Sequence, residues 1–359
     1  MSGSAVFILA EAGVNHNGDL DLARRLIDKA VEAGVDAVKF QSFNPQQLVA
    51  HHAPKANYQK GSGGAGESQR RMLEKLALSE ADHHHLLDHC RQQGITFLST
   101  PFDEISLNFL VKQLGLTTLK LSSGAVTHGP LLLAAAQSGA KIILSTGLCN
   151  LGEVEQALMV LAYGLTPPNN PPGTAAFEQA YCRPDGREAL LEKVTLLHCT
   201  TQYPTPVEAV NLRAMDTLHN AFGLPVGYSD HTAGISIPLA AVARGASVIE
   251  KHFTLDTTLP GPDHKASLEP EQLKAMVGGI REVEAALGDG FKRLMASERE
   301  NRSVVRTSLT ALQDIAQGEL FTSDNLGVKR PGTGIAPRHY WSWLGRRSSR
   351  AFVQDEAIE

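Results

Sequence analysis

The sequence predicts a (β/α)8 barrel followed by a small β-rich domain. Over the first ~285 residues, eight short β-branched or aliphatic runs alternate with amphipathic helical patterns. After about residue 295 the helical periodicity gives way to short strand patterns and turn residues. The chain has 359 residues, 42% of them hydrophobic, which is enough for one large core and a second small one. A doubly wound open sheet is the alternative, but it seldom repeats the unit so regularly.

Each strand candidate begins with apolar residues and ends with polar ones. The eight candidates are VFILAEAG, DAVKFQ, ITFLSTPF, TLKLSSG, KIILSTG, VTLLHCT, PVGYSD and SVIEKHF. In a (β/α)8 barrel the carboxyl ends of the strands form the functional face. We therefore expect the polar residues that end these runs to meet at one end of the barrel.

The helical pattern LDLARRLIDKAVEAG follows the first strand candidate. Leu22, Leu26, Ile27 and Val31 share one face, and Gly34 is the expected stop. Comparable patterns are EADHHHLLDHCRQQG, GPLLLAAAQSG, LGEVEQALMVLAYG and EPEQLKAMVGGIREVEAALG. Together they supply the helical layer that a parallel barrel requires.

An insertion at 165–193 interrupts the regular alternation between the fifth helix and the sixth strand. Its first half is a Pro/Asn/Gly loop and its second half is mildly helical, and we expect a role in stability or assembly because it lies opposite the functional face. The predicted boundaries are 1–290 for the barrel, 291–302 for a charged linker and 303–359 for the small domain. That domain has a small core and is expected to lean on a neighbour.

The bulk properties exclude several classes of protein. The net charge of −5 argues against a general nucleic-acid or membrane-surface binder. The four cysteines form no C-x-x-C pair, which is typical of reduced thiols in a cytoplasmic protein. The N-terminal apolar run is too short for a signal peptide, and no stretch is long enough to span a membrane.

Two lysines, Lys39 and Lys120, lie inside otherwise apolar strand candidates. A buried lysine needs an anionic partner, and two at one end of a barrel indicate a carboxylate or phosphate ligand. The hydroxyls of Ser123, Ser145 and Ser229, together with backbone N–H groups, would complete an anion cradle. One serine alone would more simply be a helix cap.

Two histidines, His231 and His252, end the last two strand candidates. A single histidine on a strand is more often a hydrogen-bonded core residue, but a pair on neighbouring strands can bind one divalent cation. Asp230 or Glu250 could orient a ligand or contribute an oxygen. The residues alone therefore indicate a metal-assisted barrel enzyme that acts on a phosphorylated or carboxylated small molecule.

The remaining histidine clusters receive a different interpretation. His83, His84 and His85 are consecutive on a helix and point in different directions, so we expect them at the surface. His51 and His52 are expected in a polar loop.

Ten short motifs, in this order, resemble the sialic acid synthase family of phosphoenolpyruvate-condensing enzymes. They are AEAGVNHNGDL, VKFQ, FLSTPF, LKLSSG, ILSTG, LLHCTTQYPTP, GYSDHT, IEKHFT, PGPDH and QGELFTSDNLGVKRPGTG. They cover almost the whole chain, and the last resembles the antifreeze-like (SAF) domain that follows the barrel in that family. The resemblance implies a nonulosonic acid synthase that joins phosphoenolpyruvate to N-acetylmannosamine or a related 2-acetamido sugar.

The resemblance also implies roles for individual residues. Glu11, Lys39 and Lys120 would be catalytic, with Glu11 in acid–base work; Lys39, Thr100, Lys120, Ser123, Ser145 and Ser229 would bind phosphoenolpyruvate. Gln41, Tyr203, Asp263 and Arg330 would contact the sugar, while His231 and His252 would hold Mn²⁺ or Mg²⁺. Arg330 would come from the partner subunit of a domain-crossed homodimer.

Three departures from the family pattern lie on the sugar side. Ala125 stands where the family usually has a glutamate, Thr201 replaces an asparagine of some members, and the Gly-rich loop 53–67 lacks a clear sugar-binding asparagine. The alternatives are a synthase for legionaminic, pseudaminic or another sugar acid, a pyruvate aldolase on the same barrel, and a non-enzymatic ice- or glycan-binding protein. Retention of the barrel's charged residues argues against the last.

Overall fold

The computed structural model describes residues 5–50, 53–54, 68–167 and 170–359. The chain divides into two compact units, one ending at Asp289 and one beginning at Gly290. The predicted barrel limit at 290 lies one residue beyond this division. Part of the predicted linker 291–302 is helical, since a helix spans Arg299–Val305. The exact domain limits stay a prediction.

The first unit contains eight parallel strands among its described residues. They are β1 (Phe7–Gly13), β2 (Ala37–Ser42), β3 (Thr96–Pro101), β4 (Thr118–Leu121), β5 (Lys141–Ser145), β6 (Val194–Cys199), β7 (Val226–Asp230) and β8 (Val248–His252). They are hydrogen-bonded in the order β3-β2-β1-β8-β7-β6-β5-β4. The two ends of this order, β3 and β4, also contact each other, so the sheet curls into a nearly closed barrel. The predicted fold is confirmed.

Helices alternate with these strands and cover the outside of the barrel. They are α1 (Leu20–Ala33), α2 (Pro45–Leu48), α3 (Gln69–Leu76), α4 (Glu80–Gln93), α5 (Glu104–Asn108), α6 (Gly129–Gln137), α7 (Leu151–Leu165), α8 (Thr174–Cys182), α9 (Pro184–Lys193), α10 (Ala214–Phe222), α11 (Ser236–Ala243) and α12 (Pro270–Leu287). Within the described chain, no helix is both long enough and apolar enough to cross a membrane.

Helix α1 shows how the local sequence sets these elements. The side chain of Asp19 caps the first turn by accepting from the amides of Asp21 and Leu22. Gly34 ends the helix with a φ of 80°, a conformation that glycine adopts without steric cost. Leu26 and Ile27 are fully buried against the barrel. The predicted start, stop and central apolar contacts are confirmed.

The insertion forms α8 and α9 after its Pro/Asn/Gly loop, so its second half is helical as predicted. Helix α8 packs on α7, where the rings of Tyr163 and Phe177 lie 5.1 Å apart, centroid to centroid. The hydroxyl of Tyr163 donates to the carbonyl of Asn170. The expected role in stability or assembly stays a prediction.

The inside of the barrel changes from apolar to polar along the strands. Leu9 and Leu98 pack together at the amino ends, and Leu197 packs with Val248. Gly227 lies between Leu197 and Val248, where there is no room for a side chain. A Cβ at this position would lie 2.4 Å from the Val248 carbonyl oxygen. Side chains alternate between the two faces of a strand, so the next inward residues lie one layer higher. Those residues are polar.

The second unit is small and rich in short strands and turns. Its antiparallel pair is β9 (Ser308–Ala311) and β10 (Leu326–Lys329), and its helices are α13 (Arg299–Val305) and α14 (Tyr340–Trp343). The core contains Leu309, Phe321, Phe352 and Ile358. This confirms a small β-rich domain with a core of limited size.

The surface prediction for His83 is wrong. Only 3% of this residue is exposed, because it lies on the face of α4 that packs against the barrel. Its Nε2 lies 2.8 Å from the Ser42 hydroxyl, which contacts Ser99 at 2.7 Å, and its Nδ1 donates to the Ser79 carbonyl. A histidine with hydrogen-bond partners on both ring nitrogens can be buried at little cost. His84 and His85 are exposed as predicted, and His51 and His52 lie outside the described residues.

Candidate active site

A cavity of about 530 Å³ opens at the carboxyl ends of the strands. It brings together every barrel residue predicted for the site: Glu11, Lys39, Gln41, Thr100, Lys120, Ser123, Ser145, Tyr203, Ser229, His231, His252 and Asp263. Arg330 lies in the second unit, directly after β10, and is exposed. Its insertion into a partner's barrel stays a prediction.

Lys39 connects the first three strands at the floor of this cavity. Its Nζ lies 2.7 Å from Glu11 Oε2 and donates to Thr100 Oγ1 at 3.0 Å. The register explains the contact, because Glu11 pairs with Lys39 across β1 and β2. Lysine and carboxylate are both almost completely buried, so their attraction is little screened by water.

Glu250 is a central residue whose place the sequence did not reveal. Its Oε1 lies 3.2 Å from Lys120 Nζ and accepts from Ser229 Oγ at 2.6 Å, while its Oε2 lies 3.6 Å from Lys39 Nζ. From the sequence, this carboxylate is predicted only to orient or contribute to the metal site. Its position two residues before His252, and therefore on the same strand face, was the available signal. The two lysines have carboxylate partners in the protein, so their burial alone does not require an anionic ligand.

The two carboxylates differ in how readily they lose a proton. Burial raises the pKa of Glu11 to about 7, despite the opposing attraction of Lys39. Burial also acts to raise the pKa of Glu250, but Lys120 and Lys39 outweigh it and hold that pKa below its ordinary value. Glu250 is therefore the ionised partner of the lysines, and Glu11 can gain or lose a proton near neutral pH.

Hydroxyl groups line the side of the cavity formed by β4, β5 and β6. The hydroxyl of Ser123 accepts from the Gly147 amide at 2.9 Å and lies 3.1 Å from the Cys199 sulfur. The buried hydroxyls of Ser145 and Thr201 make no hydrogen bond within the described structure. A Cβ at Gly147 would approach Thr201 Oγ1 to 2.6 Å, so glycine is needed for this loop to close over the site.

The rings of His231 and His252 lie edge to face with centroids 5.3 Å apart, and the Tyr203 ring lies tilted over His231 at 4.1 Å. The Nδ1–H of His231 donates to the Thr200 carbonyl at 2.7 Å, which leaves its Nε2 lone pair available. The buried Nδ1 of His252 makes no hydrogen bond in the described structure. Burial lowers the pKa of both imidazoles, which keeps them neutral as metal ligands must be.

The donor set fits a divalent cation. The described residues contain no group of three His, Cys, Asp or Glu side chains arranged as a complete metal site. Two neutral imidazoles are nonetheless adjacent, and Asp263 Oδ2 lies 3.9 Å from His252 Nδ1. A site with two or three protein ligands leaves positions for water and substrate, as catalytic metal sites do. His231 and His252 could therefore hold Mn²⁺ or Mg²⁺.

Two of the residues predicted for the sugar, Gln41 and Asp263, lie near the end of β1, whereas Tyr203 lies against His231. Gln41 Nε2 donates to Glu11 Oε1 at 3.2 Å. Burial raises the pKa of Asp263 to about 6, against the attraction of Lys39. Gln41 therefore contacts Glu11 directly, and the charge of Lys39 influences the pKa of Asp263. Both side chains also line the open cavity.

An apolar wall that the sequence does not predict completes the cavity. It is formed by side chains of the loops and of helix α3, with members Val14, Phe43, Met72, Leu73, Leu76 and Phe102. Val14, Met72 and Leu76 pack together as a small cluster of their own. Ala125 and Leu131 line another part of the cavity. These residues lie on elements far apart in the chain, so no local sequence pattern predicts that they form one surface.

A barrel with buried acids and bases and paired histidines in a cavity at the carboxyl ends of its strands defines a class: the (β/α)8 enzymes. The chain belongs to the NeuB family, whose sequence profile it matches over residues 26–292, and it carries a SAF domain over residues 306–359. This confirms the resemblance and the antifreeze-like identity of the small domain.

Individual relatives agree with that assignment. The chain is 48% identical to an N,N'-diacetyllegionaminic acid synthase of Campylobacter jejuni, over 98% of each chain. It is 44% identical to the synthase of the same name from Legionella pneumophila, over 97% of this chain and 92% of the relative. The crystal structure of a sialic acid synthetase from Leptospira borgpetersenii, in complex with citrate, superposes with a TM-score of 0.67 at 35% identity. That alignment covers 83% of this chain and 90% of the other.

Proposed function

We propose that this protein is a nonulosonic acid synthase that condenses phosphoenolpyruvate with an acetamido sugar. The observation that carries the proposal is the single cavity in which Lys39, Lys120, Glu11 and the two histidines meet. The names of the relatives support the same reaction class. The protein is accordingly a carbon–carbon bond-forming transferase.

The cavity floor suits the two anionic groups of phosphoenolpyruvate. Lys39 and Lys120 supply two buried ammonium groups, opposed by one firmly ionised carboxylate, Glu250. When Glu11 holds a proton, the floor carries an excess of positive charge. Ser145 offers a hydroxyl that makes no hydrogen bond within the described protein, and Ser123 offers a second hydroxyl in the same cavity. The Ser229 hydroxyl donates to Glu250, and would have to exchange that partner to bind the substrate. Charge-assisted hydrogen bonds of this kind bind phosphate and carboxylate strongly.

In the proposed reaction, C3 of phosphoenolpyruvate attacks the aldehyde carbon C1 of the open-chain sugar and forms the new bond. The aldehyde oxygen takes up a proton and becomes a hydroxyl. Water adds to C2. The bond between C2 and the oxygen that bridges it to phosphorus then breaks, and inorganic phosphate leaves with the bonding electrons. Each turnover consumes one water and releases one phosphate.

Glu11 is the proposed proton carrier for this sequence. Its pKa of about 7 lets it take a proton from the attacking water and return it within one turnover. Lys39 and Gln41 hold its two oxygens in place. A divalent cation held by His231 and His252 would supply Lewis-acid polarisation of the aldehyde oxygen. The Thr200 carbonyl orients the first of these rings.

The acceptor we propose is a 6-deoxy diacetamido aldose. The side chains of the apolar wall around Met72 and Leu76 cannot hydrogen-bond a sugar hydroxyl but pack well against methyl and acetyl groups. A buried hydroxyl without a partner costs about 1–3 kcal/mol. Ala125, in place of the family's usual glutamate, removes a further polar contact. The two diacetyllegionaminic acid synthases among the relatives favour the same acceptor class over N-acetylmannosamine.

The quaternary arrangement is part of the same proposal. Two copies would assemble so that Arg330 of each small domain reaches the sugar in the partner's barrel. The exposed position of Arg330 leaves it available for that contact.

Product identification by mass spectrometry tests the reaction and the acceptor together. The purified protein is incubated with Mn²⁺, phosphoenolpyruvate and a panel of N-acetylmannosamine, 6-deoxy diacetamido aldoses and unmodified aldoses. We expect a sugar acid from the diacetamido aldose, with kcat/KM at least about tenfold above that for N-acetylmannosamine. In H₂¹⁸O the released phosphate stays unlabelled, since the C–O bond breaks.

Matched reactions decide between the alternatives. Product from pyruvate in place of phosphoenolpyruvate would establish the aldolase. No product from any sugar, with no binding of phosphoenolpyruvate by calorimetry, would overturn the enzymatic proposal. His231→Ala and His252→Ala should each abolish metal-dependent phosphate release, and full activity in both variants would remove the metal from the mechanism.

A further inference from the structure

A second buried ion pair lies directly behind the histidines, on the outer face of the barrel wall. Asp230 and Lys251 are both 0% exposed, and neither lines the cavity. Side chains alternate along β7 and β8, so the neighbours of these two residues face inward while the pair faces the helices. Asp230 immediately precedes His231, and Lys251 immediately precedes His252.

The pair belongs to a closed hydrogen-bond network. The ammonium of Lys251 contacts Asp230 Oδ2 and also donates to the Thr232 carbonyl. Asp230 Oδ1 accepts from the Tyr228 hydroxyl at 3.1 Å and from the Thr232 amide at 2.9 Å. The hydroxyl of Thr232 donates to Asp230 Oδ2 at 3.1 Å. Both carboxylate oxygens of Asp230 are therefore satisfied within the network.

This network brackets His231. Asp230 fixes the backbone on one side of the histidine, and Thr232, held at its amide, hydroxyl and carbonyl, fixes it on the other. On the opposite strand, Lys251 pairs with Asp230 in the register of β7 and β8. The ion pair thus couples the backbone that carries His231 to the backbone that carries His252.

We propose that Asp230 and Lys251 are positioning residues that set the separation and orientation of His231 and His252 for a shared divalent cation. The inference rests on the proposed metal site, and it gives this site a support that spans two strands. A metal site requires its ligands within a few tenths of an ångström of their positions, which packing alone rarely ensures.

A purely stabilising role explains the pair less well. Removing two opposite charges from water costs about as much as their attraction returns, and well-packed apolar pairs often replace buried ion pairs without loss of stability. The Asp230–Lys251 pair also forms hydrogen bonds with the amide, hydroxyl and carbonyl of Thr232, the residue after His231. An apolar pair would fill the same volume, but it could not fix the direction of that backbone.

The test compares Mn²⁺ affinity with stability in the full-length protein. The variant is the double substitution Asp230→Asn with Lys251→Met, which leaves no unpaired buried charge. Free Mn²⁺ is followed by electron paramagnetic resonance without substrates, and thermal unfolding is followed in EDTA. We expect the Kd for Mn²⁺ to rise about 10- to 100-fold. Ser99→Ala, which removes a buried hydroxyl on the outer face of a distant strand, is the matched control and should leave the Kd unchanged.

Each outcome decides a different question. An unchanged Kd in the folded double variant, with a lower Tm, would overturn the positioning role. If the double variant does not fold, Thr232→Val replaces it, with an expected rise in Kd of about threefold, and an unchanged Kd there would be equally adverse. A wild-type protein that does not bind Mn²⁺, or a His231→Ala variant that binds it normally, would instead overturn the proposed metal site itself.

Discussion

Both faces of β7 and β8 carry buried polar residues, but only on the inner face does a buried side-chain atom of these strands lack a hydrogen bond within the described structure. Inside, the His252 Nδ1 is buried and makes no hydrogen bond within the described structure, and the neighbouring Ser145 and Thr201 hydroxyls are in the same condition. Outside, Asp230, Thr232 and Lys251 satisfy one another. The two faces are separated by one residue along each strand.

The contrast distinguishes a site from its support. Buried polar groups in folded proteins are almost always hydrogen-bonded, so a cluster of unsatisfied ones in a cavity indicates groups kept for a ligand. A closed network offers nothing to a ligand and instead limits the movement of the backbone that carries it. This difference fits the proposed roles, in which the inner face would bind the substrates and the outer face would hold its residues in position.

Lys120→Met should have the largest effect, because it removes an ammonium from the inner face and leaves Glu250 with one fewer partner. We expect kcat/KM for phosphoenolpyruvate, measured by phosphate release, to fall on the order of 10²–10³-fold, as is usual when one member of a buried charge pair is lost. Added Mn²⁺ should not restore it.

The outer lysine provides the comparison. The double substitution Asp230→Asn with Lys251→Met removes a buried ammonium from the outer face of β8 without leaving an unpaired buried charge, and we expect saturating Mn²⁺ to recover most of its phosphate release. If metal rescued Lys120→Met as well, or failed to rescue the folded double variant, the proposed difference between the two faces would be incorrect.

The sequence predicted the inner face better than the outer one. Strand ends and two-residue alternation were enough to bring Lys39, Lys120, His231 and His252 together. The same alternation does not say which polar residue pairs with which, so neither the central place of Glu250 nor the pairing of Asp230 with Lys251 follows from it. Pairing depends on the register between strands, which is set by the whole barrel.

The burial of His83 and the apolar wall could not be predicted from local sequence patterns either, because both depend on long-range packing. His83 is buried because α4 packs its inner face on β3, and the Ser42 hydroxyl at the end of β2 contacts the ring. The apolar wall combines α3 with distant loops, so Met72 and Phe102 share a surface although they are far apart in sequence. Long-range packing decides both, and periodicity reports only which face of one element is apolar.

Asp263→Asn tests the electrostatic cost of the inner face and should have an intermediate effect. Burial raises the pKa of Asp263 from 3.8 to about 6, so the folded protein holds this proton more tightly than the unfolded chain. Wild-type stability contributed by this group is therefore lost as the pH rises from about 4 to about 6. Relative to wild type, the asparagine variant should gain on the order of 2–3 kcal/mol between pH 4 and pH 7.5.

The measurement is urea unfolding at several pH values in EDTA, which excludes metal binding. Asp263→Glu is the control, since it keeps a carboxyl group and should keep the pH dependence. A difference between Asp263→Asn and wild type that does not change with pH would mean that the buried carboxyl is not the cause.

The smallest expected effect compares the removal of one hydroxyl from each face. Ser145→Ala removes an inner hydroxyl that makes no hydrogen bond in the described protein, so the free energy of unfolding should change by less than about 0.5 kcal/mol while the KM for phosphoenolpyruvate rises. Tyr228→Phe removes an outer hydroxyl that donates to the Asp230 carboxylate, and should cost about 1–2 kcal/mol with little change in that KM. Chemical denaturation and steady-state kinetics on both variants measure the two quantities. Ser145→Ala should therefore change the KM but not the free energy of unfolding, and Tyr228→Phe should do the reverse. A loss of stability in Ser145→Ala would contradict the view that the inner hydroxyls are left without a hydrogen bond for a ligand.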